Sequence, residues 1–105
     1  MQKLILQFNL NKDTSQNSYE SWARDEEIPA YLRDSSVDAY VVYRVRDWFI
    51  PSNKKLPFRY SAVISFSDIE LFRAALRREP LKSFQTKFLE LTDDLVTVVQ
   101  DPVVT

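Results

Sequence analysis

Four segments of the chain have the pattern of β-strands, by apolar–polar alternation with a period of two or, in the last of them, by a high content of valine. They cover residues 3–10, 37–46, 58–66 and 95–100. The second segment carries apolar side chains on both of its faces. Its two predicted faces are Val37, Ala39, Val41, Tyr43 and Val45 on one side and Asp38, Tyr40, Val42, Arg44 and Arg46 on the other. The pattern therefore predicts four strands.

A first helix is predicted between the first two strands. Asp13 or Ser15 can cap it, and the residues that follow at helical spacing are Tyr19, Trp22, Ala23 and Glu26. The helix is expected to stop before Pro29, because the residue before a proline is disfavoured in the helical region. Residues 30–34 can add one further turn.

A second helix is predicted at the sequence Ser67-Asp68-Ile69-Glu70, which has the form of a capping box. Pro80 either ends this helix or begins a successor at the first helical position. Apolar residues at helical spacing extend such a successor to Thr92. The last strand then follows.

The order strand, helix, strand, strand, helix, strand is that of a ferredoxin-like βαββαβ sandwich, an α+β fold with helices on one face of an antiparallel sheet. One domain is expected over residues 1–105. Apolar residues occur on both faces of the predicted sheet, among them Ile5, Tyr40, Val42, Val63, Val96 and Val98. A second subunit is the simplest cover for the face without helices, so a homodimer is expected.

The chain contains no glycine, no histidine and no cysteine. Average usage would supply roughly seven glycines at this length, so a glycine-rich phosphate-binding loop is excluded. Without histidine and cysteine there is no imidazole base, no thiolate nucleophile and no ordinary zinc or haem ligand. The acidic runs lack the spacing of a calcium loop. We therefore expect no metal and no cofactor.

Charge and hydropathy restrict the partners. The net charge is −1, from 14 lysines and arginines and 15 aspartates and glutamates. These charges are interleaved, which is not the footprint of a nucleic-acid-binding protein. The longest apolar runs have the length of strands, and we identify no signal peptide. A cytoplasmic protein without nucleic-acid or membrane partners is expected.

Part of the sequence carries a family resemblance. The residues concerned are Tyr19-Glu20-Ser21-Trp22-Ala23-Arg24-Asp25-Glu26-Glu27-Ile28-Pro29, then Ser36-Val37 and Tyr43-Arg44-Val45. Together with the predicted topology, they resemble the dimeric α/β-barrel superfamily, and within it the REDY-like small proteins associated with prodigiosin biosynthesis.

The resemblance implies two sandwiches whose sheets face each other as a barrel, with a ligand cleft between sheet and helices in each subunit. Members of the superfamily bind or act on small aromatic or polyketide-like compounds, and some are cofactor-independent monooxygenases or isomerases. Others bind haem, and many place a histidine in the cleft. This chain has no histidine, so histidine-dependent catalysis and histidine-ligated haem are excluded.

Asp25 and Glu26 are the candidate catalytic acids. They lie at the end of the first predicted helix, where carboxylates oppose the helix dipole. One of them could point into the cleft beside Trp22 as a general base with a raised pKa. The alternative is a solvated helix end paired with Arg24 or Arg33.

Arg44 is the candidate partner for a ligand anion, because a mid-strand arginine on a covered sheet face must be paired or must meet a ligand. The alternative is an ion pair between subunits or a side chain that reaches the rim. Tyr43, on the opposite face, would be core or cleft lining. The candidate ligand-binding residues are Trp22, Tyr40, Tyr43, Trp48 and Tyr60.

An apolar, aromatic stretch over residues 48–60 either packs on its own core or forms a lid over an aromatic ligand.

Two functions remain open. The first is a small-molecule-binding protein or cofactor-free isomerase, cyclase or monooxygenase of specialised metabolism, with an aromatic ligand. The second is a non-catalytic partner or carrier protein that binds a pathway enzyme through its barrel or lid surface.

Overall fold

A four-stranded antiparallel sheet forms one layer of the fold, in a computed structural model that describes residues 1–104. The strands are β1 (Gln2–Leu10), β2 (Val37–Arg44), β3 (Tyr60–Phe66) and β4 (Thr92–Gln100). Their order in the sheet is β2-β3-β1-β4, and each neighbouring pair is antiparallel. This order confirms the predicted ferredoxin-like topology.

The helices connect β1 to β2 and β3 to β4. They are α1 (Gln16–Trp22), a π-helical segment (Ala23–Glu27), α2 (Ile28–Leu32), α3 (Ile69–Leu76) and α4 (Leu81–Leu91). The helices cover one face of the sheet. On that face every second strand residue is buried in the core. Those strand residues include Leu6, Phe8, Tyr60, Ala62, Ile64 and Phe66.

The first helix does not stop before Pro29, which corrects the sequence-based expectation. Ser15 caps the helix by accepting a hydrogen bond from the Ser18 N–H at 3.1 Å. Further on, the Ile28 N–H bonds to the Ala23 carbonyl, five residues back. Pro29 lies in the first turn of α2, directly after this wider turn. The N–H that proline lacks is therefore missing at a point where the helical hydrogen bonds are already irregular.

The N-cap residue of α3 is Asp68 and not Ser67. The Asp68 carboxylate accepts hydrogen bonds from the N–H groups of Glu70 and Leu71, at 2.9 and 3.1 Å. Ser67 donates instead to Asp38 on β2, at 3.0 Å. The predicted successor helix is confirmed as α4, which starts directly after Pro80.

The sequence left open which face of β2 meets the helices. Tyr40 and Val42 face the helices, whereas Val41 and Tyr43 face outward. An irregularity in the pairing with β3 between Val37 and Ala39 shifts the alternation, so that Val37 and Tyr40 are buried on the same side. Periodicity alone could not locate this bulge.

A second irregularity explains why β4 starts three residues earlier than predicted. Pairing between β1 and β4 shifts between Gln7 and Asn9, and Asp94 on β4 has a φ of 58°. Aspartate tolerates this left-handed conformation better than most residues. Because the bulge interrupts the apolar–polar alternation, the pattern does not indicate that residues 92–94 belong to the strand.

The outer face of the sheet carries an apolar row that crosses all four strands. Val41 pairs with Val63, Val63 with Ile5, and Ile5 with Val98. Val41 and Val98 are exposed within the chain. The prediction of apolar residues on both faces of the sheet is therefore confirmed.

Candidate functional site

A cleft of about 290 Å³ lies between the helix-facing side of the sheet and helices α2, α3 and α4. Its volume is close to the lower limit of roughly 300–1,000 Å³ for small-molecule sites. The walls are mainly aliphatic and aromatic. The apolar side chains that line the cleft are Leu4, Leu6, Ile64, Phe72, Leu76, Phe88, Leu89 and Leu95.

Glu27 is the charged residue of this cleft. Its side chain is only 1 % exposed, and its Oε1 atom has no hydrogen-bond partner among residues 1–104. Burial raises the pKa of Glu27 from 4.5 to about 7, although interaction with the Tyr40 hydroxyl lowers it in part. The cleft therefore holds a carboxyl that changes protonation near neutral pH.

The π-helical segment places Glu27 in the cleft. Trp22 and Tyr31 are nine residues apart, which would put them on opposite sides of a regular α-helix, about 180° apart. Both are buried in the core, and the wider turn between them makes this possible. Glu27, five residues after Trp22, then faces inward.

Asp25 and Glu26 do not point into the cleft, which corrects the predicted geometry. Both are exposed, and Asp25 forms an ion pair with Arg24 at 3.0 Å. The prediction named Asp25 and Glu26 because they lie three and four residues after Trp22, spacings that share one face only in a regular α-helix. The nine-residue interval between Trp22 and Tyr31 was the available signal that a π-turn intervenes.

Three tyrosines surround the Glu27 carboxyl. Tyr31 and Tyr40 line the cleft, with ring centroids 5.1 Å apart in an edge-to-face arrangement. Burial, and next the charge of Glu27, raises the pKa of Tyr19, Tyr31 and Tyr40. All three are therefore neutral phenols at physiological pH. The buried Tyr19 hydroxyl has no hydrogen-bond partner within the described part of the chain.

Arg44 lies in a second depression, which we name the edge groove, beside the edge strand β2. The Arg44 Nη2 atom is 2.7 Å from Glu20 Oε1, and the Tyr60 hydroxyl donates to Glu20 Oε2 at 2.6 Å. These bonds lower the pKa of Glu20, the hydrogen bond from Arg44 contributing most. The arginine is thus paired within its own chain, and Tyr40 lines both the edge groove and the cleft.

The predicted ligand-binding residues are not gathered in one place. Trp22 is buried against Phe84, with ring centroids 6.0 Å apart, and does not line the cleft. Tyr43 is 53 % exposed on the outer face of the sheet. Trp48 lies in the loop between β2 and β3, where its indole N–H donates to the Lys54 carbonyl at 2.8 Å. Of the predicted set, only Tyr40 lines the cleft.

Two negative findings apply to residues 1–104. In that range, the His, Cys, Asp and Glu side chains form no cluster of three or more that could hold a metal ion. Over the same residues, no helix has the length and apolar character needed to cross a membrane.

The family model for the REDY-like protein HapK matches residues 2–103. The chain belongs to the REDY-like HapK family. This finding confirms the resemblance noted in the sequence. No curated protein sequence gives a significant match.

Solved structures share the fold of this chain. HapK from Hahella chejuensis has a TM-score of 0.81 at 17% identity, covering 100% of this chain and 95% of that one. SnoaB, a cofactor-independent oxygenase from Streptomyces nogalater, has a TM-score of 0.74 at 17% identity, with coverages of 99% and 94%. A dimeric ferredoxin-like protein of unknown function from Thermobifida fusca has a TM-score of 0.69 at 15% identity, with coverages of 96% and 90%. At these identities the likeness shows the fold alone.

Proposed function

We propose that this HapK-family protein binds a small, largely apolar, aromatic molecule of specialised metabolism in the cleft. The observation that supports this most directly is the position of Glu27. A carboxyl with an unpartnered oxygen in apolar surroundings weakens the folded state whenever it ionises. Strongly perturbed groups of this kind in clefts are characteristic of binding and catalytic sites.

Glu27 also has the protonation behaviour of a general acid–base catalyst. A group with a pKa near 7 is present in both protonation states at neutral pH, which favours proton transfer in either direction. We assign to Glu27 the role that the sequence suggested for Asp25 or Glu26. The reactions it could support are an isomerisation, a cyclisation or a cofactor-free oxygenation, and SnoaB, of the same fold, is a cofactor-independent oxygenase.

Binding is tested by thermal shift and calorimetry with a panel of aromatic metabolites. A ligand that binds the folded state stabilises it by about 2.7 kcal/mol at a concentration of 100 times its Kd. We expect the stabilisation to disappear in Thr97→Trp, in which an indole at an exposed cleft position of β4 obstructs the cavity. Glu26→Gln, an exposed neighbour of Glu27, is the control that should bind normally. Failure of the whole panel at concentrations far above micromolar would contradict the proposal.

We further propose that the protein is a homodimer joined through the outer face of the sheet. The apolar row formed by Val41, Val63, Ile5 and Val98 supports this, because an apolar stripe across a sheet face gains stability when a second sheet covers it. The structural neighbour from Thermobifida fusca is dimeric. The same row on two copies would be self-complementary about a two-fold axis.

The alternative function, a partner or carrier protein, rests on the loop over residues 45–59. Phe49 is fully exposed there and Ile50 is 77 % exposed. A photo-crosslinking residue at position 49 in the native cell tests this function. The partner or carrier function predicts one dominant adduct with a different protein. Adducts with a second copy of this chain alone would contradict this function.

A further inference from the structure

We infer that the ligand of the cleft carries a cationic nitrogen, an ammonium or a protonated N-heterocycle, that donates a hydrogen bond to Glu27. This inference rests on the proposed binding function and specifies the chemical class of the ligand. It follows from two properties of the cleft, its hydrogen-bond inventory and its charge.

Among the described residues, the hydrogen bonds within the cleft leave one acceptor, Glu27 Oε1, without a partner. Tyr31 and Tyr40 contribute phenol hydroxyls, and the Gln85 amide already donates to the carbonyls of Leu76 and Leu81, at 2.6 and 3.3 Å. Glu27 Oε1 is an acceptor whose partner is missing within residues 1–104. A carboxylate oxygen accepts the strongest hydrogen bonds from charged N–H donors.

The charge of the cleft is also unbalanced. The titratable groups that face Glu27 are Tyr19 from α1, Tyr31 from α2 and Tyr40 from β2, all of them neutral. Strands β1, β3 and β4 and helix α3 contribute apolar side chains and Thr97, and α4 adds Gln85. Among the described residues that line the cavity, none is a lysine or an arginine.

A cationic ligand supplies both missing components. It provides the N–H donor that Oε1 lacks and the positive charge that the carboxylate lacks, and the cost of burying Glu27 has already been met by folding. An anionic ligand would be repelled by the ionised carboxylate. A neutral carbonyl ligand would need the protonated form of Glu27 as a donor, so the two classes differ in the sign of their pH dependence.

The expected pH effect follows from the ionised fraction of Glu27. With a pKa of about 7 in the free protein, this fraction rises about thirtyfold between pH 5.5 and pH 8.0. A ligand that binds only the carboxylate should therefore gain about thirtyfold in affinity over this interval. A ligand that accepts a hydrogen bond from protonated Glu27 should lose affinity instead.

Three probes with one aromatic body test the inference by calorimetry at pH 5.5 and 8.0: 2-naphthylmethylamine, 2-naphthylmethanol and 2-naphthaldehyde. We expect the amine to bind at least tenfold more tightly than the alcohol at pH 8.0, and to lose this preference at pH 5.5. Glu27→Gln should remove the preference, and the exposed control Glu26→Gln should retain it. Circular dichroism and thermal melts confirm that both variants are folded.

The outcomes separate the inference from the proposed function. Equal affinities for the amine and the alcohol at pH 8.0 would overturn the inference and leave a binding cleft in place. An aldehyde that binds more tightly at pH 5.5 than the amine binds at pH 8.0 would do the same. Amine preference that persists in Glu27→Gln would also overturn it. If none of the three probes binds at millimolar concentration, both the inference and the proposed function fail.

Discussion

The Tyr40 hydroxyl on β2 lies beside the buried Glu27 carboxyl and lowers the pKa that burial raises. Each residue lies in an element with a local irregularity that sequence periodicity does not reveal. Tyr40 faces the cleft because of the bulge between Val37 and Ala39, and Glu27 faces it because of the π-turn. Two local irregularities thus create the polar part of the cleft.

The first prediction concerns the pH dependence of stability. The folded-state pKa of Glu27 lies above its ordinary value of 4.5, at about 7, so the folded protein prefers the protonated carboxyl. Stability is therefore unaffected by Glu27 below pH 4.5 and falls as the pH rises to about 7, by about 3 kcal/mol in total. Urea unfolding between pH 4.5 and 8 measures this loss.

The Glu27→Gln variant isolates the contribution, since other carboxyls act in the opposite sense. Glu20, whose pKa is lowered, adds stability as the pH rises. The difference in unfolding free energy between wild type and Glu27→Gln should change across this interval. A constant difference for Glu27→Gln would show that its carboxyl titrates normally.

The second prediction concerns Tyr40→Phe, which removes the hydroxyl beside Glu27 and keeps the ring. We expect the pKa of Glu27 to move above 7, since the interaction that lowers it is lost. Carbon-13 NMR of the labelled glutamate carboxyls follows the titration directly. Tyr31→Phe is the matched control, because it removes a buried hydroxyl from the same cleft but leaves the Tyr40 hydrogen bond to Glu27 in place. A lowered pKa in Tyr40→Phe would contradict the assigned role of the hydroxyl.

The third prediction concerns the edge groove. The hydrogen bond of 2.6 Å from Tyr60 to Glu20 should show a coupling of about 1 kcal/mol in a double-mutant cycle of Tyr60→Phe and Glu20→Gln. The pKa of Glu20 is lowered, so its contribution is present above the ordinary carboxyl range and is lost as the pH falls through the folded-state pKa. A cycle with Tyr43→Phe, which lies on the outer face, should show no coupling.

The fourth prediction concerns the oligomeric state. Val63→Lys places a charge at the centre of the apolar row, and we expect it to convert a dimer into a monomer in sedimentation equilibrium experiments. Leu71→Lys also replaces an exposed apolar residue, but on α3, and should leave the dimer unchanged. A wild-type protein that is monomeric at high micromolar concentration would exclude the proposed interface.

The topology could be predicted from the sequence because it depends on elements that the pattern marks clearly. The alternation from Leu4 to Leu10 and the cap region near Asp68 each specify an element by local chemistry. The first residue of β4, and which face of β2 meets the helices, could not be predicted in this way. A bulge changes the alternation by one residue, and the residues that form it carry no distinctive composition.

The candidate site was predicted less well for the same physical reason. The sequence draws attention to the run of three acids, but which of Asp25, Glu26 and Glu27 is buried depends on the rotation of the helix at that point. A regular α-helix favours Glu26, and one additional residue in the turn favours Glu27. Arg44 was selected for its position in the middle of a strand and Tyr60 for its place beside an aromatic loop. Their shared partner Glu20 was missed because it is distant from both in the sequence.

The π-turn has a consequence for how this site could vary among related chains. Three acids stand in succession, so a related helix with one residue more or fewer before Pro29 would still present a carboxylate to the cleft. In a sequence alignment, that carboxylate would not be aligned with Glu27. Equivalence between relatives should therefore be judged by which acid is buried in each structure. Matching acids by their position in the sequence would pair solvent-exposed carboxylates with chemically different ones.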